Sequence, residues 1–83
     1  MRLDLYLKKT LIIKQREAAK ELCDKGLVKV NDSVAKPAKE IKIEDIIEIE
    51  TVNGIEKYRV IMLPEGNVRK EEAELCYEKF SRD

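Results

Sequence analysis

The stretch Lys14-Gln15-Arg16-Glu17-Ala18-Ala19-Lys20-Glu21-Leu22-Cys23-Asp24-Lys25-Gly26-Leu27-Val28-Lys29-Val30-Asn31-Asp32 changes its periodicity once, at Gly26. Before the glycine, Ala19, Leu22 and Cys23 recur at the spacing of one helical face, which predicts a helix over about Lys14 to Lys25. Gly26 stands where a helix C-terminus favours a left-handed backbone. After it, Leu27 to Val30 reads as a short strand, and Asn31-Asp32 as a turn pair that tolerates positive φ. The chain passes here from helix to sheet.

Upstream, Leu3, Tyr6 and Leu7 have the same helical spacing, so a first short helix precedes this one. Asp4 falls in its first turn, where a carboxylate suits the positive end of the helix, and Thr10 caps or breaks it. Leu5 points away from the apolar face. Downstream, Val34-Ala35 begins a returning strand that Pro37 ends, because proline donates nothing to a ladder. Ile41, Ile43, Ile46, Ile47 and Ile49 alternate with charged residues, with Glu44-Asp45 as a turn. Ile47–Val52, Asn53-Gly54 and Ile55–Leu63 then spell a hairpin, with Asn-Gly suited to a type I′ turn. Pro64-Glu65-Gly66 stops that strand.

The tail, Val68 to Phe80, returns to helical spacing through Ala73, Cys76, Tyr77 and Phe80. Glu71, Glu72 and Glu74 load its start, and Lys79 and Arg82 its end, as a helix dipole prefers. The expected architecture is α+β: two short N-terminal helices on a small, mostly antiparallel sheet, with a C-terminal helix. Residues 1–66 form the main unit, and 67–83 an amphipathic helix closing the same domain.

Length and composition agree with one small domain: 83 residues, 43% hydrophobic and 41% charged. No apolar run approaches the ~18–20 residues of a membrane span, and the N-terminus lacks the layout of a secretory signal. A soluble, cytoplasmic protein is expected. The 17 basic and 17 acidic residues give a formal net charge of zero, yet the zero hides a split. Met1–Lys42 holds 11 cations and 6 acids, and Ile43–Asp83 holds 6 cations and 11 acids. Such asymmetry points to nucleic acid or an acidic surface as partner.

Catalysis finds little support in the residue types. There is no histidine, so Ser33 and Ser81 have no imidazole base and zinc has no histidine ligand. Cys23 and Cys76 form no CxxC and fall at apolar helical positions, which suits buried, reduced thiols. The three glycines are isolated, so no phosphate-cradling loop is present. Glu48 and Glu50 alternate with isoleucines on one solvated strand face. No enzyme, cofactor or metal is expected.

The basic residues organise better. Arg2, Lys8 and Lys9 flank the first helix, Lys14 and Arg16 begin the second, and Lys20 lies one turn beyond Arg16. A helix start offers free N–H groups and positive partial charge to a phosphate, and arginine grips phosphate with paired hydrogen bonds. Lys29 and Lys36 extend the patch. Tyr6 reads as core, so no stacking platform for single-stranded bases is visible, and folded RNA is the better match. Ordinary solvating charge on amphipathic helices accounts for the same residues equally well.

Arg2-Leu3-Asp4, then Lys14-x-Arg16-x-x-Ala19 before Gly26, Val28-x-Val30-Asn31 and Ala35-Lys36-Pro37 together resemble the S4 RNA-binding domain over about Met1 to Glu50. A stand-alone copy with a short acidic tail resembles the bacterial ribosome-associated quality-control type and, more distantly, the heat-shock protein fifteen type. The resemblance implies binding to large-subunit ribosomal RNA and to tRNA on stalled or obstructed subunits, alongside a nascent-chain tailing factor. A monomer is expected. It assigns RNA contacts to Arg2, Lys8, Lys14, Arg16 and Lys20, with Asn31 shaping the adjacent turn and contributing contacts. The chain departs from the pattern at Leu5, Leu11, Gln15 and Leu27, where relatives carry cations, and at Asp32, where they carry glycine. An alternative follows from these departures: a divergent protein–protein adapter of the same fold, with exposed Leu5, Leu11 and Leu27 as its apolar patch.

Overall fold

A computed structural model describes residues 1–80. Helix α1 spans Leu3–Lys9 and α2 spans Arg16–Asp24. Strands follow at Val28–Val30 (β1), Ser33–Val34 (β2), Ile46–Thr51 (β3) and Gly54–Val60 (β4). One helical turn, Lys70–Ala73 (α3), and a 3-10 turn, Glu74–Cys76, lead into Tyr77–Phe80 (β5). All strand pairs are antiparallel, in the order β2-β1-β3-β4-β5. The α+β architecture expected from the sequence is present.

The helical faces are those the spacing predicts. Leu3, Tyr6 and Leu7 of α1 and Ala19 and Cys23 of α2 are buried against Val28, Val30, Ile47, Ile49, Tyr58 and Val60 of the sheet. A fully buried aliphatic side chain contributes roughly 1.5–3 kcal/mol, so this layer accounts for much of the stability of a small domain. Thr10 ends α1 with its hydroxyl donating to the Tyr6 carbonyl at 2.7 Å. The second helix begins at Arg16, two residues later than expected, which leaves Lys14 in the exposed connection.

The end of α2 follows from Gly26, whose φ is 77°. The Gly26 N–H donates to the Cys23 carbonyl and the Leu27 N–H to the Leu22 carbonyl, both at 3.0 Å. This is the paired closure of a Schellman motif, with Leu22 and Leu27 as its apolar partners. Asn31 and Asp32 both take positive φ, 51° and 72°, so the type I′ turn lies here, between β1 and β2.

The β3–β4 hairpin turns one residue earlier than its Asn-Gly pair suggests. Thr51 pairs with Gly54, which puts Val52 and Asn53 at the centre, and only Gly54 takes a positive φ there. A type I′ turn needs positive φ at both central residues, so it is excluded. The Thr51 hydroxyl holds the loop, donating to the Gly54 carbonyl at 2.8 Å and accepting from the Asn53 N–H at 3.1 Å. Ile43 is exposed rather than part of the alternating core, because Glu44 at φ 80° turns the chain between Ile41 and β3.

The tail departs most from expectation. The helix stops at Ala73, and Tyr77–Phe80 is a strand instead of its continuation. β4 offers an open ladder edge, which Tyr77–Phe80 occupies from Lys57↔Phe80 to Val60↔Tyr77. Tyr77 also meets Tyr58 edge to face, with ring centroids 5.4 Å apart, and Glu78 pairs with Arg59. Pairing and cross-strand contacts together outweigh helix propensity, which favours one turn by only tenths of a kcal/mol per residue. Ser81 and Arg82, named in the sequence reading, lie outside the described residues.

Candidate nucleic-acid interface

Asp4 is fully buried at the first turn of α1, and its carboxylate accepts four hydrogen bonds. Arg2 donates from Nε to Oδ1 at 3.2 Å and from Nη2 to Oδ2 at 3.3 Å. The Leu5 N–H donates to Oδ1 at 2.8 Å. Arg16 Nε, from the first position of α2, donates to Oδ2 at 3.3 Å. A buried carboxylate needs such partners, because an unpaired charge away from water is expensive.

The arginines gain direction from the same contacts. Their side chains remain 47% and 40% exposed, so each guanidinium is anchored at one edge and open at the other. Arg16 uses only Nε here, which leaves both of its Nη groups to meet a phosphate. Two positive side chains on one carboxylate leave a surplus of positive charge. Asp4 therefore acts as a hub that aims two cations, a role beyond the helix-end carboxylate read from the sequence.

The segment after β2 is fastened to the same place. The Leu3 N–H donates to the Lys39 carbonyl at 2.8 Å and the Asp4 N–H to the Pro37 carbonyl at 3.1 Å. These bonds occupy the free donors at the start of α1 and bring exposed Lys36 and Lys39 beside the arginine pair. Lys39 escaped the sequence reading, since nothing local distinguishes it from a solvating lysine. Lys14 is exposed two residues before Arg16, and Lys8 lies one turn from Asp4 on α1. Lys20, one turn beyond Arg16, sits among Glu17, Glu21 and Asp24 in a shallow depression on α2.

Three sequence-selected residues stand apart from this cluster. Lys9 donates to the Gly66 carbonyl at 2.7 Å and ties the loop after β4 to α1. Lys29 pairs in register with Glu48, whose side chain also meets Lys57 Nζ at 3.9 Å. That ladder lies on the sheet face opposite the buried Val28 and Val30, away from the helices. The Asn31 side chain accepts from the Ile46 N–H at 3.0 Å and donates to Asp45 at 3.1 Å. Its amide is used to shape the turn.

The apolar departures separate as well. Leu11 is exposed, at φ 61°, but Leu5 and Leu27 are half-buried, so the three do not form the exposed patch expected of an adapter. Leu27 is drawn in by the helix closure described above. Both thiols are buried, and desolvation pushes Cys23 up to about 11, with the Asp4 and Asp24 charges adding to it. Burial raises Cys76 also, so each stays a neutral thiol at pH 7 and is a poor nucleophile. Among the described residues, no group of three or more His, Cys, Asp or Glu could hold a metal ion, and no helix is long and apolar enough to cross a membrane.

The S4 domain model matches residues 1–47, more than half of the chain and the whole of the arginine–aspartate cluster. The chain belongs to the S4 domain family. The RQC P-site tRNA stabilizing factor of Streptococcus pneumoniae is 42% identical over 81 residues, covering 98% of this chain and 91% of that protein. The factor of the same name from Bacillus subtilis is 34% identical over 77 residues, covering 93% and 88%. Among solved structures, trimeric heat shock protein 15 of Vibrio cholerae superposes with a TM-score of 0.88 at 23% identity, over 98% of this chain and 82% of that one. It supports the S4 fold alone. A hypothetical protein solved in solution gives 0.83 at 32% identity, with both chains covered in full.

Proposed function

We propose that this S4-domain chain is a non-enzymatic, cytoplasmic RNA-binding protein of ribosome-associated quality control. In this reading it docks on large-subunit ribosomal RNA beside P-site tRNA and stabilises an obstructed subunit while a tailing factor extends the nascent chain. The observation that carries it is the Asp4 hub: one buried carboxylate aims Arg2 and Arg16 outward from the start of both helices. Relatives named for stabilising P-site tRNA match nearly the full chain, which supports the tRNA-side partner.

Arg2 and Arg16 grip backbone phosphates, with Lys8, Lys14, Lys20 and Lys36 around them supplying attraction. Lys9, Lys29 and Asn31, expected from the sequence to touch RNA, lie apart from that face and have no part in the docking proposed here. Phosphate contacts of this kind set position and orientation rather than base sequence. The acidic C-terminal half turns away from RNA, which favours one docking orientation for a monomer.

Co-sedimentation with purified large subunits, with and without P-site tRNA, tests the reading. The wild-type chain pellets at low salt and is released as salt rises. Lys8→Glu with Lys36→Glu, both at exposed positions outside the Asp4 pairing, abolishes pelleting while leaving the fold intact by circular dichroism. Equal pelleting of the wild type and this folded double variant would overturn the assignment.

A further inference from the structure

A second surface lies at the C-terminal end of α2. Ile12 and Ile13 of the α1–α2 connection, Leu22 of α2, Leu27, Ile49 of β3 and Val52 of the hairpin line an open groove. Its charged lining residues are both acids, Glu50 and Glu56. Val52 is 100% exposed at the tip. Glu56 already accepts from the Tyr58 hydroxyl and lies 3.9 Å from Lys79 Nζ, whereas Glu50 has no ion pair among the described residues.

We propose that this groove is a docking site for a protein segment that pairs aliphatic anchors with a lysine or arginine. The aliphatic walls take the anchors, and Glu50 meets the cation. Charge decides the occupant. RNA is disfavoured, because the groove offers no cation and sets carboxylates against phosphate. A second copy is disfavoured too: a two-fold pairing would put Glu50 and Glu56 of each chain against the same acids of the other. A basic, aliphatic peptide satisfies both the walls and the rim. Bound there, it leaves Arg2 and Arg16 free, so the chain holds RNA on one face and a protein on another, and the two contacts reinforce each other.

The test is methyl NMR of the full chain titrated with a 12-residue Leu/Lys amphipathic peptide and with its Leu/Glu counterpart. The Leu/Lys peptide is expected to shift the Ile12, Ile13, Leu22, Leu27, Ile49 and Val52 methyls with saturation, about tenfold more tightly than the Leu/Glu peptide. Val52→Asp and Glu50→Lys, both at exposed positions, each weaken it by about fivefold or more, while exposed Lys36→Glu, beside the arginine pair, leaves it unchanged. Shifts confined to other surfaces, unchanged affinity in Val52→Asp, or a concentration-dependent dimer lost in Val52→Asp would each overturn the proposal. Because Lys36→Glu separates the faces, failure of peptide binding does not bear on RNA docking.

Discussion

Arg16 Nε donates to Asp4 Oδ2 at 3.3 Å, joining the first turn of α2 to the first turn of α1 through a fully buried carboxylate. One contact thereby fixes the helix pair and aims a cation. Breaking it from either side has different consequences. Asp4→Asn keeps the shape but removes the charge that holds Arg2 and Arg16. Weakened charge-assisted hydrogen bonds are expected to cost about 1–3 kcal/mol, read as a lower midpoint in thermal or urea unfolding. RNA affinity falls with it, since both guanidinium groups lose their anchor. A variant as stable and as tightly bound as the wild type would remove Asp4 from this role.

Arg16→Lys retains the charge and loses the planar fork, so it discriminates anchored geometry from charge alone. Binding to large subunits is expected to weaken by about tenfold, a loss of ~1.4 kcal/mol, with the salt dependence little changed. Arg2→Gln, by contrast, removes a phosphate contact and lowers the slope of log affinity against log salt by about 0.7–0.9. Filter-binding titrations at several salt concentrations separate the two.

Tyr6 tests the seam between α1 and the tail. Its buried hydroxyl donates to the Cys76 carbonyl at 2.8 Å, which also accepts from the Ile61 and Met62 N–H groups at 2.8 and 3.1 Å. Tyr6→Phe removes one donor from a carbonyl that keeps two others, so about 1 kcal/mol is expected in equilibrium unfolding. A loss several times larger would mean that the phenol does more than fasten the tail.

Strand β5 is checked by charge exchange across the ladder. Glu78 faces Arg59 in register and pairs with it, while Arg59 also lies 3.8 Å from Glu44. Glu78→Arg sets like charges opposite each other and destabilises by roughly 0.2–1 kcal/mol, and the double variant with Arg59→Glu recovers part of that loss. A helical tail would show no such coupling.

The buried thiol gives a pH dependence with a definite sign. Cys23 ionises near 9.0 when free and near 11 when folded, so its contribution is fully present below 9.0. Between those values the unfolded chain loses its proton more readily than the folded one, and stability falls as pH rises. Urea midpoints measured from pH 8 to 11 are expected to decline, and a thiol reagent at pH 8 to react with Cys23 only as the chain opens.

Residue spacing alone sets the helical faces and the change to sheet at Gly26. Leu3, Tyr6, Leu7, Ala19 and Cys23 announce their burial by spacing, because the helical period forces them to one side. Gly26 and Asn31-Asp32 announce closure and turn through backbone conformations that few other residues adopt at low cost. The chosen cations were legible as a basic half, yet their grouping was not: Lys29 and Arg16 look alike in sequence and lie in different layers. Only tertiary structure put Asp4 between Arg2 and Arg16, and only the open edge of β4 turned Tyr77–Phe80 from helix to strand. Both outcomes depend on partners remote along the chain, whose hydrogen bonds exist only after the helices and sheet have packed. Local propensity carries no record of them.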